Sequence, residues 1–150
     1  MMRWLLMVTL LTAVALEGGA WVLGRRPTRS RIAPRRRLLV YDDDCGFCWG
    51  AALLIEGQVE LELVPFSSLP VEGVLEELTD EQIHASAHYV TEDGIEYHGG
   101  ESVTRLARLL PRGGEAAALL DLPVLRGLRE IGYRLVSWQR ARVSRLLGVG

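Results

Sequence analysis

The feature that most restricts the fold is the handover at residues 38–55. A short apolar run, Leu38-Leu39-Val40, passes through Tyr41-Asp42-Asp43-Asp44 into Cys45-Gly46-Phe47-Cys48, and Trp49-Gly50-Ala51-Ala52-Leu53-Leu54-Ile55 follows with a helical composition. Strand, acidic turn and helix in that order make a β–α unit, which needs a second strand to return beside the first. Cys45 and Cys48 are the only cysteines in the chain, and they fall where the helix is expected to begin. Unpaired N–H groups and the positive end of the helix macrodipole favour a thiolate at that place. Spacing of i and i+3 lets the two sulfurs meet on one turn, so they form a dithiol that can cycle with a disulfide. Cys45 is the expected attacking sulfur. Cys48, one turn further in and more buried, is expected to resolve a mixed disulfide.

The rest of the domain alternates. After strand 37–41 and a helix from Cys45 to about Gln58, Val59-Glu60-Leu61-Glu62-Leu63-Val64 reads as a half-buried strand ended by Pro65. Ser67-Ser68-Leu69-Pro70 is a turn, and Val71–Leu78 reads as a short helix with Leu75 and Leu78 inward. Thr79-Asp80 caps another helical turn through His84. Ala87–Thr91 and Ile95–Tyr97 are strands joined by Glu92-Asp93-Gly94, since Asp-Gly between two strand patterns marks a hairpin. Helical spacing returns in Ser102–Leu110, then in Ala116–Leu122 and Val124–Leu147. The last helix is expected to turn Leu125, Leu128, Leu135, Trp138 and Leu146 to one side, with its arginines mostly elsewhere. The predicted order is therefore α/β: βαβ, α, then ββα, with additional C-terminal helices.

Ahead of this domain, Trp4 to Leu23 is an apolar stretch about 30 Å long as a helix, with Trp4 and Trp21 near its ends. Glu17 opposes insertion by about 3 kcal/mol, and nine Leu and Val residues at about 0.3–0.6 kcal/mol each offset it. Residues 1–24 are accordingly read as an N-terminal apolar helix that anchors the protein in a membrane. A cleaved signal with Ala13-Val14-Ala15 as its site, or a mis-assigned start, are the rival readings. Residues 25–37 carry seven arginines and no acid, Asp42 to Glu101 carries fifteen acids and no basic Lys or Arg, and the whole chain has no lysine. By the positive-inside rule the domain faces the cytoplasm, with a purely cytoplasmic protein as the alternative. Residues 25–36 read as a solvated Arg-rich linker, able to touch anionic headgroups at about 1 kcal/mol per arginine. No aromatic interleaving points those arginines to nucleic acid.

In the Asp42-x-x-Cys45-x-x-Cys48 signature, after an apolar strand and Tyr41, the sequence resembles the DCC family of thiol-disulfide oxidoreductases. The likeness continues in Tyr97-His98-Gly99-Gly100-Glu101-Ser102 and in Tyr133-Arg134 followed by Arg140, and spans about residues 36–148 of the domain placed at 37–148. Asp43 stands where the family usually has glycine, Ser102 where it has alanine, and Gln139 where it has asparagine. The resemblance implies a thioredoxin-like fold and disulfide exchange with a disulfide-containing protein or small thiol substrate. It implies no cofactor beyond the Cys45–Cys48 disulfide, and Gly46 and Phe47, between the sulfurs, as substrate contacts. Thioredoxin-like proteins usually carry a cis-proline before the strand facing the dithiol; here Ala85-Ser86-Ala87 fills that place.

Three alternatives remain open at this level. Cys45 and Cys48 could join His84 and His88, which have H-x-x-x-H spacing, in a structural zinc module; thirty-five residues separate Cys48 from His84, unlike a compact finger. Without zinc, both histidines read as ordinary partly exposed positions. The domain could instead be a non-catalytic interaction module at the membrane face. Asp42 either accepts the proton of Cys48 or caps the turn, since Asp readily bonds neighbouring N–H groups. Three carboxylates beside the helix start offset its dipole, which points to a reductant or isomerase-type exchanger over a strong oxidant. Tyr133, Arg134 and Arg140 read as fixing the last helix against the acidic domain.

Overall fold

The computed structural model describes the backbone of residues 26–146 and the side chains of residues 26–139. The expected apolar helix at 1–24, and the side chains of Arg140 and Leu146, lie outside the described residues. Among the described residues no helix is long and apolar enough to cross a membrane. The elements are β1 (Thr28–Arg29), β2 (Leu38–Tyr41), α1 (Gly46–Glu56), β3 (Glu62–Pro65), a 3-10 turn (Phe66–Ser68), α2 (Asp80–His84), β4 (His88–Val90), β5 (Ile95–His98), α3 (Gly100–Leu109), α4 (Gly114–Leu120) and α5 (Pro123–Leu146). The five strands form one sheet in the order β1-β5-β4-β2-β3. Only β2 and β3 run parallel, as the α1 crossover requires; the other neighbours are antiparallel. Setting β1 aside, this mixed α/β arrangement is consistent with the expected thioredoxin-like βαβ-α-ββα order.

All four residues of β2 are buried, because the strand lies inside the sheet with both faces covered. Alternation then divides its side chains. Leu38 and Val40 join Val64, Val74, Leu75 and Val90 on one face, while Leu39 and Tyr41 join Ala52, Tyr89 and Leu106 on the other. Pro65 is tolerated because β3 is an edge strand. That strand begins at Glu62, later than the alternation implied, because the Val59 N–H closes the end of α1 on Ile55 O at 2.9 Å. The Thr79 cap forms as expected, with Thr79 and Gln82 bonding each other's backbone in a capping box.

Two expectations fail together. Part of the supposed linker is built into the fold: Thr28 and Arg29 pair with β5, Ser30 is buried, and Arg31 makes a two-pronged bond to Glu76. The stretch Val71–Leu78 forms turns and no helix. Its backbone groups are taken: Gly73 O accepts Arg31 N at 2.7 Å, and Leu75 N donates to Glu96 Oε1 at 2.7 Å. Gly73 sits at φ +77°, where a Cβ would come within 2.5 Å of Ile32 Cβ. The arginine-rich segment docks on this loop and replaces the hydrogen bonds a helix would have made.

Beneath that docking lies a polar chain. Glu96, 1% exposed, accepts Ser30 Oγ at 2.7 Å as well as Leu75 N. Its other oxygen accepts the Thr28 hydroxyl at 2.5 Å. Thr28 Oγ1 also lies 2.8 Å from His98 Nε2, His98 Nδ1 lies 2.9 Å from His88 Nδ1, and His88 Nε2 faces Ile83 O at 2.8 Å. The Ile83 carbonyl can only accept, so His88 Nε2 donates to it. The two rings, Thr28 and Glu96 thus form one continuous buried hydrogen-bonded chain. His88 is fully buried, against the expectation of a partly exposed position.

The last helix is the third correction. Leu128, Leu135 and Trp138, expected inward, are 52%, 53% and 80% exposed, whereas Glu130 is 5% exposed. The helix docks through polar groups: Glu130 on the Gly100 N–H, Tyr133 on the Ala87 N–H, and Arg129 on Asp121.

Glu96→Ala strands three donors, two of them in buried hydrogen bonds. It is expected to destabilise the fold by at least about 3 kcal/mol, with Glu96→Gln costing less because one oxygen survives. Denaturant titration of the two variants measures the difference.

Candidate functional site

The site begins where β2 ends. Asp42 Oδ1 accepts the Asp44 N–H at 3.1 Å, and Asp42 O receives the Cys45 N–H at 3.4 Å, so the acidic residues form a self-bonded turn. Asp43 Oδ1 accepts the Ser67 N–H at 3.2 Å, tying the turn to the segment after β3. Hydrogen bonding from Ser67, chiefly, holds the Asp43 carboxyl below the usual carboxylate range.

Cys45 is the N-cap of α1, extended at φ −103° and ψ 105°. Its Sγ takes the part usually played by a Ser or Asp oxygen, accepting the Cys48 N–H at 3.3 Å. Cys48 Sγ–H points to the same sulfur at 2.7 Å. Neither thiol is in a disulfide, and the first turn of α1 holds no acid. Cys45 Sγ therefore accepts from both the backbone N–H and the thiol of Cys48, at the positive end of a helix dipole.

The burial order is the reverse of the expected one. Cys45 is 7% exposed, and Cys48 is the partly exposed sulfur. A capping side chain turns back over the first N–H groups of its own helix, while the residue three further on faces outward. Cys48 lines a cleft of about 60 Å³ between α1, the Ser86-Ala87 segment and α5, with Asp42, Phe47, Tyr133 and Ser137 also in its wall. Of the two expected substrate contacts, Phe47 lines this cleft; Gly46 is the first residue of α1 and does not.

Ser86 and Ala87 form the wall opposite the sulfurs, in the place the sequence gives to Ala85-Ser86-Ala87 where related folds carry a proline. A proline would have had no N–H; Ala87 has one, and the Tyr133 hydroxyl accepts it at 2.7 Å. The Ala87 carbonyl is met by Gly99 N at 3.0 Å and by Ser102 Oγ at 3.2 Å. Glu130 is the residue sequence reasoning missed. Its carboxylate accepts the Gly100 N–H at the start of α3 at 3.2 Å and is paired with Arg129 at 3.1 Å. A Cβ on Gly100 would lie 2.8 Å from Glu130 Oε1, and Gly99 adopts φ +59°; the Gly-Gly pair is what admits the carboxylate. The available signal was that Glu130 is the sole acid after Asp121. Arg129 ties α5 to the end of α4 through Asp121 at 2.9 Å, and Tyr133 fixes the helix to the domain, as expected, through the Ala87 N–H.

The histidines do not assemble with the cysteines. His84 packs edge-on against Phe66 at 4.8 Å, and His88 belongs to the buried chain beneath β1. Among the described residues no group of three His, Cys, Asp or Glu side chains is placed to hold a metal ion.

A family model described as DCC1-like thiol-disulfide oxidoreductase matches residues 39–146. No curated protein and no solved structure matches.

Tyr133→Phe removes the partner of the Ala87 N–H at the cleft wall. It should cost about 1–3 kcal/mol of stability while leaving the cysteines reduced and reactive, as read by denaturant titration beside a thiol count.

Proposed function

Since the chain belongs to the DCC1-like thiol-disulfide oxidoreductase family, we propose that it exchanges disulfides through Cys45 and Cys48. The observation that carries this reading is the pair of sulfurs 2.7 Å apart, not joined in a disulfide, at the start of a helix, one of them in the wall of a cleft. In the proposed cycle the Cys45 thiolate attacks one sulfur of a substrate disulfide. That S–S bond breaks, and the leaving thiolate takes a proton from solvent. Cys48 then loses its proton and attacks the Cys45–substrate bond. The second substrate thiol leaves, and a Cys45–Cys48 disulfide remains, so the protein is oxidised by two electrons and the substrate reduced by two. A dithiol donor would reverse these steps to reset the pair.

Asp42 is assigned the proton of Cys48, because both line the same cleft. Gly46 and Phe47 are assigned to substrate contact, Phe47 from its place in that wall. The partner is a disulfide-bearing protein or small thiol compound. The reductant or isomerase reading of the acidic turn is retained, because Asp42, Asp43 and Asp44 all precede the helix that carries the dithiol. Residues 1–24 are proposed to hold the domain at the cytoplasmic face of a membrane.

The partial exposure of Cys48 favours a second order of events, in which Cys48 attacks first and Cys45 resolves. Trapping decides between them. Cys48→Ser should accumulate mixed disulfides on Cys45, identified by mass spectrometry; trapping confined to Cys45→Ser would establish the reverse order. Equal insulin reduction by wild type and Cys45→Ser would return the protein to the class of non-catalytic modules. Asp42→Asn should slow the resolving step by about tenfold or more at neutral pH. The deficit should narrow as pH rises toward the ordinary thiol range near ~8.5, where solvent can take the proton. A pH profile of single-turnover oxidation measures it.

A further inference from the structure

Helix α5 exposes more large apolar side chains than any other element among the described residues. Val124, Leu128, Leu135 and Trp138 recur at intervals of four, seven and three residues, so they fall in one stripe along the helix. Gly127 and Glu130 are buried on its inner side, which turns that stripe away from the domain. The charge of the helix says what can cover it. Residues 123–146 hold six arginines and one acid. That acid, Glu130, is buried and paired with Arg129, so α5 shows no carboxylate at its surface. A second copy would bring charge of the same sign to the stripe, whereas anionic headgroups bring the opposite sign. Among the described residues no helix is apolar enough to cross a membrane. A Leu and Trp stripe on an arginine-rich helix is instead the make-up of helices that lie in the interface. The chain also enters the fold close by. Thr28 Oγ1 lies 2.8 Å from His98 Nε2, and His98 lines a cavity of about 510 Å³ together with Trp138.

Going beyond the exchange reading, we propose that the outward face of α5 is a lipid-binding surface, lying in the headgroup layer of an anionic membrane with Val124, Leu128, Leu135 and Trp138 toward the acyl chains. The contact is separate from the tether assigned to residues 1–24, and it sets the orientation of the domain. A helix is about 10–12 Å across. The cleft at Cys48, walled by Tyr133 and Ser137, is thereby held about one helix diameter from the headgroups.

The test uses the full-length chain with Trp4→Phe, Trp21→Phe and Trp49→Phe, which leaves Trp138 as its one tryptophan. It is mixed with vesicles of phosphatidylcholine, or of phosphatidylcholine with phosphatidylglycerol, with and without lipids brominated near the headgroup end. Sedimentation reports whether the chain is on the vesicles, and fluorescence reports where Trp138 lies. On the anionic vesicles Trp138 emission should shift to shorter wavelength and lose about half or more of its intensity to the brominated lipid. Added salt should weaken that quenching. Leu128→Ser with Leu135→Ser should cut it by about half or more, while Leu128→Met with Leu135→Met, which stays apolar, should keep it. A chain that sediments with the vesicles while Trp138 stays unquenched overturns the proposal and leaves the tether intact. Equal quenching by both vesicle types overturns the assignment to an anionic surface. A blue shift without lipid that grows with protein concentration gives the stripe to a second copy and overturns it as well. A chain that sediments with neither vesicle overturns both the proposal and the tether. Insulin reduction without vesicles is read separately, so the exchange reading stands or falls on its own.

Discussion

The carboxylate of Glu96 is the constraint on which the rest of this architecture depends. A buried anion is tolerated only where donors surround it, and here they come from three distant parts of the chain. Thr28 and Ser30 arrive from the arginine-rich segment, Leu75 N from the loop after β3, and the ring pair of His88 and His98 lies beyond Thr28. Once that carboxylate is placed, β1 must lie against β5, and the loop at 73–76 cannot close into a helix. A lone acid therefore settles the edge of the sheet and the cover of one of its faces.

The second organising feature is a helix turned inside out. Helix α5 directs Arg129, Glu130 and Tyr133 toward the domain and leaves Leu128, Leu135 and Trp138 at the surface. Its docking is a matter of matching orphan backbone groups. Glu130 meets the start of α3, and the Tyr133 hydroxyl meets the Ala87 N–H that a proline would have lacked. The Tyr133 contact lies in the wall facing the sulfurs and Glu130 borders the adjoining cavity, so the polar fastening of α5 also shapes the approach to the dithiol. Had the helix packed by its leucines, it would have lain on the sheet without presenting these groups to the cleft.

Much of this was legible beforehand, for reasons that differ by element. Strand β2, the start of α1, the Thr79 cap and the Asp93-Gly94 hairpin turn were readable because each is fixed by neighbours in sequence: an apolar run, a capping oxygen, a glycine at φ +85°. The helix expected at Val71–Leu78 was not, because its backbone bonds go to Arg31 and Glu96, far away in the chain. Glu96 and His98 alternate with Ile95 and Tyr97, and a period of two identifies which residues share a face but not whether water or a core lies against it. In this protein both faces of β5 are covered, and the polar one is the more deeply buried.

The site divides along the same line. Sequence by itself determined that two sulfurs stand three residues apart at a strand-to-helix junction behind an acidic turn, because that spacing and its capping geometry are local. Only the tertiary structure decided which sulfur faces the cleft, that Ser86, Ala87 and Tyr133 form its opposite wall, and that Arg134 borders the cavity beyond. Those outcomes follow from where α5 comes to rest, and its resting place is chosen by hydrogen bonds between residues tens of positions apart, which no pattern within a single segment encodes.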